Sequence, residues 1–230
     1  MEQQAYLAAL GIDHYLLRSR QDPAADSDVS AEPAPAPSPA TPIPTLDWGA
    51  LAAAVSTCTL CALHQSRTRT VFGVGTRDAD LLIIGEAPGA DEDRQGEPFV
   101  GRAGKLLNAM LASIGFTREQ VFIANILKCR PPNNRDPSAE ETAKCSPYLE
   151  RQIELIAPRA VLAVGRIAAQ HLLQSDQPIG RLRGKVLEFG AGPTPVVATY
   201  HPAYLLRSPQ AKAKSWQDLC LVRQLIADPQ

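Results

Sequence analysis

Hydrophobic positions along the chain gather into four short, nearly continuous blocks. These are DLLIIG (80–85), VFIANIL (121–127), AVLAVG (160–165) and PVVATY (195–200). Runs of this length with little polar alternation predict strands buried on both faces, as in a parallel sheet. Between them the spacing changes to a helical period over 104–114, 138–156 and 167–173, with a last helix over about 210–226 and an extra strand at 185–189. Strand–helix alternation predicts an α/β fold: a doubly wound, three-layer domain around a central, mainly parallel four-stranded sheet with right-handed crossovers. Such a sheet binds ligands beyond the carboxyl ends of its strands.

The pattern starts only at Leu46. Residues 22–45 carry seven prolines, six alanines and no aromatic residue, too little apolar surface to fold, so a stiff extended linker is expected there. Residues 1–21 place Leu7, Leu10, Tyr15, Leu16 and Leu17 around a break at Gly11. They predict a short tethered helix, marginal alone and suited to docking on a partner. The organisation is therefore a docking segment (1–21), a linker (22–45) and a folded domain (46–230).

Composition adds exclusions. The chain has 230 residues and a net charge of −1, which argues against a histone-like binder. Splitting it changes the picture: residues 1–45 carry net −4 and residues 46–230 net +3, so nucleic acid is permitted without being named. No apolar run reaches the roughly 18–20 residues of a membrane span, and Glu2, Asp13 and Arg18 do not fit a signal peptide. A soluble, cytoplasmic protein is expected. Five cysteines in that compartment point to a metal or redox site rather than to disulfides.

Three reactive groups fall at strand ends: Glu86 after the first strand, Asn125 near the end of the second and His201 after the fourth. A single polar residue there is a common turn former, but three on one rim predict a site. The segment Gly101–Lys105 imitates a phosphate-binding loop. However, Phe99 stands where its first glycine belongs and Leu106 where its hydroxyl belongs, so the glycines are read as a close backbone approach at a helix start. Cys58 and Cys61 form a CxxC, joined by Cys129 and, 16 positions later, Cys145. Four such thiolates suit tetrahedral zinc or an iron–sulfur cluster, and spacing alone does not choose between them. Cys220, in an amphipathic helix, reads as core.

The motifs GEAPGADEDRQGEPFVGRAGKLL, NILKCRPPNNRDP and HPAYLLR, together with the cysteine spacing, resemble the family 4 uracil-DNA glycosylases, the iron–sulfur type, over about residues 48–226. The resemblance implies a monomer acting on uracil-containing DNA, with a [4Fe–4S] cluster on Cys58, Cys61, Cys129 and Cys145 that is mainly structural. It implies that Glu86 faces the sugar and holds water, and that His201 supports the uracil oxygen on which charge develops. Asn125 would read the base edge, Phe99 stack on the flipped base and Glu92 crowd the 5-methyl of thymine. Backbone around Gly85 and Ala87 would complete the pocket. Residues 202–207 resemble a loop entering the minor groove, with Leu205 or Leu206 as wedge and Arg130, Arg135 and Arg207 on phosphates. A covalent-capture relative carries a histidine in an inserted basic loop, which RQGEPFVGRAG lacks, and family 5 lacks the acidic residue present here as Glu86. An iron–sulfur electron carrier would not need the Glu86–Asn125–His201 rim. Finally, AYLAALGIDHYLLR is similar to the N-terminal peptide of the psi subunit of the bacterial clamp loader, implying a replisome partner for residues 1–21.

Overall fold

The computed structural model describes residues 42–189 and 194–227; the expected docking segment 1–21, and with it the clamp-loader reading, lies outside them. The described residues form one compact unit. It begins earlier than expected. Ile43–Thr45 make a 3-10 turn whose Ile43 packs on the core, so the last linker residues belong to the fold.

Among the described residues six strands form one sheet: β1 (Val74–Gly75), β2 (Leu81–Gly85), β3 (Phe122–Asn125), β4 (Ala160–Val164), β5 (Val186–Phe189) and β6 (Thr194–Thr199), in the order β1-β3-β2-β4-β6-β5. The four expected strands are the parallel centre. Both edges are antiparallel: β1 on β3 and β5 on β6. The segment expected as an extra strand is thus β5, whose half-exposed alternation contrasts with the full burial of β2 and β4. Two-residue β1 is too short to leave a periodic signal.

The helices are α1 (Trp48–Ser56), α2 (Ala90–Gln95), α3 (Arg102–Ser113), α4 (Ala139–Ile156), α5 (Arg166–Leu172), α6 (Ile179–Leu182), α7 (Pro202–Arg207) and α8 (Lys212–Ala227). Because successive strand side chains point to opposite faces, β2 divides its residues between two cores. Leu82 and Ile84 join Leu51, Leu149 and Ala168 from α1, α4 and α5. Leu81 and Ile83 join Leu107, Leu111, Leu219 and Val222 from α3 and α8. This is the expected three-layer arrangement. At the start of α4, Ser138 Oγ accepts from Glu141 N–H and the Glu141 carboxylate accepts from Ser138 N–H, a reciprocal cap that fixes where the helix begins. Among the described residues no helix is long and apolar enough to cross a membrane.

Candidate active site

Parallel register sets the rim. Gly85 pairs with Asn125 and Val164 with Thr199, so the chain leaves β2, β3, β4 and β6 on one edge. Glu86, Asn125 and His201 line one cavity there, of about 480 Å³, within the usual size range of small-molecule sites. Ala87, Glu92, Phe99, Arg135 and Arg207 line it too. Gly85 lies against its floor: a Cβ there would run into Asn125 Oδ1 and sit 2.7 Å from the Phe99 ring. The sequence-predicted pocket is brought together by the fold.

Asn125 is 2% exposed, and its Oδ1 is buried without a hydrogen-bond partner. Burying an unpaired amide oxygen costs about 1–3 kcal/mol, a cost that a ligand N–H would remove. Phe99 is held in the left-handed region at φ 54°, unusual for a non-glycine residue. Arg118, which sequence reasoning missed, donates to the carbonyls of Phe99 (3.4 Å) and Pro98 and so holds this turn. Gly104 is explained by the same turn, since a Cβ on it would strike the Phe99 carbonyl, so this P-loop-like glycine is a close backbone approach, whereas Gly101 faces only the Asp91 and Glu92 side chains. The Phe99 and His201 rings lie 5.7 Å apart, tilted by 31°.

His201 caps α7: its Nδ1 accepts from Ala203 N–H at 3.2 Å. With Nδ1 engaged as acceptor, a neutral ring carries its proton on Nε2. Burial, and secondarily Arg207, pushes its pKa down to about 4, so the ring is neutral at ordinary pH. Gly165 at φ 103° gives it room, as a Cβ would come within 3.1 Å of His201 Cβ. Burial, followed by the nearby charge of Asp136, raises the Glu86 pKa to about 7, against the lowering effect of Arg166. Asp136 and Arg166 pair at 2.9 Å beside the site. Their influence on Glu86 was not read from the sequence, although Asp136 is the next-to-last residue of the NILKCRPPNNRDP motif and Arg166 follows the third predicted strand.

Several expected residues do other work. Both Glu92 oxygens are committed to backbone, one to Gly89 N–H (3.1 Å), the other to Val100 and Gly101 N–H (3.0 and 3.3 Å), welding two loops into one wall. Arg135 binds Glu141 through two bonds of 2.8 and 2.6 Å and holds that carboxyl down at about 2. Arg130 donates to Asn134 Oδ1 at 2.7 Å and does not line the cavity. Residues 202–207, expected as a loop, are helix α7. The helical phase separates the two leucines: Leu205 is 1% exposed in the core and Leu206 is 38% exposed. Leu205 is therefore packed too deeply to reach a partner, and only Leu206 presents itself.

Cys58, Cys61, Cys129 and Cys145 line a second cavity together with Arg67, Lys128, Lys144 and Tyr148. All are free thiols. Arg67 donates to Cys129 Sγ at 3.1 Å and Lys128 N–H to Cys145 Sγ at 3.3 Å. Burial raises both thiols, Cys145 to about 11. Among the described residues, no three His, Cys, Asp or Glu side chains converge tightly enough for one metal ion. Lys128 itself is buried, and its Nζ donates to the Asn125 carbonyl (2.9 Å) and Gln152 Oε1 (2.6 Å). It therefore joins the thiol cavity to the pocket floor.

Residues 72–220 match the model of the uracil DNA glycosylase superfamily. A type-4 uracil-DNA glycosylase of Archaeoglobus fulgidus is 47% identical over 76% of this chain and 92% of its own length. Those of Thermotoga maritima (44%; 67% and 80%) and Sulfurisphaera tokodaii (42%; 76% and 83%) are similar. With the strand-end rim, the buried amide and the cysteine set in place, the chain belongs to the uracil DNA glycosylase superfamily and, within it, to the type-4 enzymes.

Proposed function

We propose that this chain removes uracil from DNA by hydrolysing the bond between the base and its deoxyribose, the first step of base-excision repair. The observation that carries the reading is the buried, unpartnered Asn125 Oδ1 in a cavity shared with Glu86, Phe99 and His201. A base cannot be attacked while stacked in a duplex, so the nucleotide enters flipped out. Uracil N3–H then donates to Asn125 Oδ1 and the amide NH₂ donates to O4. Cytosine presents the reverse pattern and leaves both groups unpaired, which a site of this kind rejects strongly. Phe99 stacks on the ring, and the Glu92 wall stands where a 5-methyl group would enter.

Breaking the N1–C1′ bond leaves its electron pair on uracil and positive charge on the sugar. Neutral His201 donates Nε2–H to the uracil oxygen that gains charge, which needs no imidazolium. Glu86, as carboxylate, faces the cationic sugar, holds the attacking water and receives its proton as C1′–O forms. Leu206 wedges into the space left by the flipped base. Arg207 and Arg130 bind phosphates, with Arg135 steadying the loop through Glu141.

Cys58, Cys61, Cys129 and Cys145 would hold a [4Fe–4S] cluster, in preference to the zinc alternative. Four thiols lining one cavity with the cationic side chains Arg67, Lys128 and Lys144 match the charge of an anionic cluster, and similarity to the type-4 enzymes favours it over zinc. When bound, the cluster supplies a covalent tie between the chain before the sheet, the segment after β3 and helix α4, steadying the DNA-facing loops. Reduced, unpaired cysteines fit a cytoplasmic setting.

The test is single-turnover cleavage of a uracil-containing oligonucleotide, then alkali to break abasic sites, beside a thymine strand. Breakage at uracil alone is expected, with the Asn125→Ala rate down by about 10²–10³-fold. No breakage by the wild-type protein overturns the function. A wild-type rate in Asn125→Ala overturns the site.

A further inference from the structure

Beside the uracil pocket lies another cavity, of about 390 Å³, bordered by Arg166, Tyr200, Tyr204 and Arg207. His201 and Arg207 line both cavities, so the two meet across the imidazole. The Tyr200 and Tyr204 rings lie 5.1 Å apart, tilted by 34°. Behind them the Arg183 guanidinium sits 5.8 Å from the Tyr200 ring, anchored to Asp218 at 3.0 and 2.7 Å. The three planar groups form a platform braced from the core side. Its outermost member, Tyr204, is 40% exposed. Such a ring accepts any nucleobase face; Arg207 at the edge supplies positive charge for a phosphate, and Arg166 adds a second donor by exchanging its bond to Asp136, now 2.9 Å.

We propose that this second cavity is a subsite for the nucleotide next to the uracil in the same strand, its base on Tyr204 and its phosphate between Arg166 and Arg207. The proposal rests on the uracil reading of the first cavity: a strand whose base occupies that pocket has its neighbour within one backbone repeat, and the shared His201–Arg207 wall leads there. The platform reads no sequence, since stacking is open to all four bases. It requires only that a base be present and unpaired, which favours single-stranded or locally opened DNA.

The experiment uses single-stranded uracil oligonucleotides in which the residue immediately 5′ or 3′ of uracil is either natural or a base-less tetrahydrofuran. Kd is measured by fluorescence anisotropy and uracil release by single turnover, for the wild-type chain, Tyr204→Phe and Tyr204→Ala. For wild type and Tyr204→Phe, removing the base on one side weakens binding about tenfold. In Tyr204→Ala that penalty disappears. Wild-type protein indifferent to base loss on both sides overturns the subsite, as does a penalty that persists in Tyr204→Ala. Absence of uracil release from the natural strand counts against the chemistry of the first cavity, while the Kd comparison still decides the subsite.

Discussion

The floor and the side wall of the proposed uracil pocket are built in different ways. The floor is the end of a central strand. Asn125 leaves β3 with its carbonyl fastened by the buried Lys128 ammonium, itself fastened by Gln152 of α4, and Gln152 Nε2 reaches on to the Phe72 carbonyl. The wall is loop: Phe99 sits in a left-handed turn gripped by Arg118, with Glu92 tying neighbouring backbone. The difference follows from what each part offers. A hydrogen bond weakens steeply with angle, so the amide is set on the stiffest element and locked by a buried network. A stacked ring tolerates sliding, so a loop with an arginine clamp suffices.

The largest effect is expected from loosening the floor. Gln152→Leu leaves Lys128 buried with one acceptor fewer, and is expected to destabilise the fold by about 2–3 kcal/mol and to lower the single-turnover rate by about tenfold. Thermal unfolding and uracil release would both register it. If stability falls while the rate holds, the network supports the fold without aiming the amide. Arg118→Ala is the corresponding cut in the wall. It is expected to raise the half-saturating substrate concentration about fivefold, with a stability loss of about 1 kcal/mol, because the carbonyls it releases lie nearer water. A loss as large as that of Gln152→Leu would erase the distinction between the two parts.

The smallest effect lies at the rim. On the proposed mechanism Glu86 works as a carboxylate, and burial with Asp136 nearby lifts its pKa from 4.5 to about 7. Single-turnover rates are therefore expected to rise with pH through about 7. Asp136→Asn removes a raising charge and frees Arg166, so the midpoint moves to lower pH. The sign for stability is opposite. A carboxyl whose folded pKa is raised favours the fold below about 4.5 and loses that contribution between about 4.5 and 7. Asp136→Asn is thus expected to flatten the loss of thermal stability over this interval; an unchanged pH–rate midpoint would detach Asp136 from Glu86.

The floor was far more legible than the wall. Buried strands announce themselves as apolar runs, and a polar residue at the end of each is conspicuous; Glu86, Asn125 and His201 were found that way, and CxxC spacing marked the thiols. Arg118, Asp136 and Lys128 act through loop conformation or long-range pairing, such as the 24 residues between Lys128 and Gln152, and no local pattern carries that. Leu205 and Leu206 could not be told apart because six residues of helix after a proline resemble a turn in sequence. Edge strand β1 and the turn at Ile43–Thr45 are too short for any period to appear.

Five consecutive residues, Asn125 to Cys129, serve both cavities. The Lys128 side chain turns back to the Asn125 carbonyl while its own N–H points to Cys145 Sγ. Inserting or deleting one residue in this stretch would misplace the Asn125 amide and a thiol in the same event. A length change here is therefore expected to disturb both features in one step, whereas a substitution such as Asn125→Ala removes one and leaves the other.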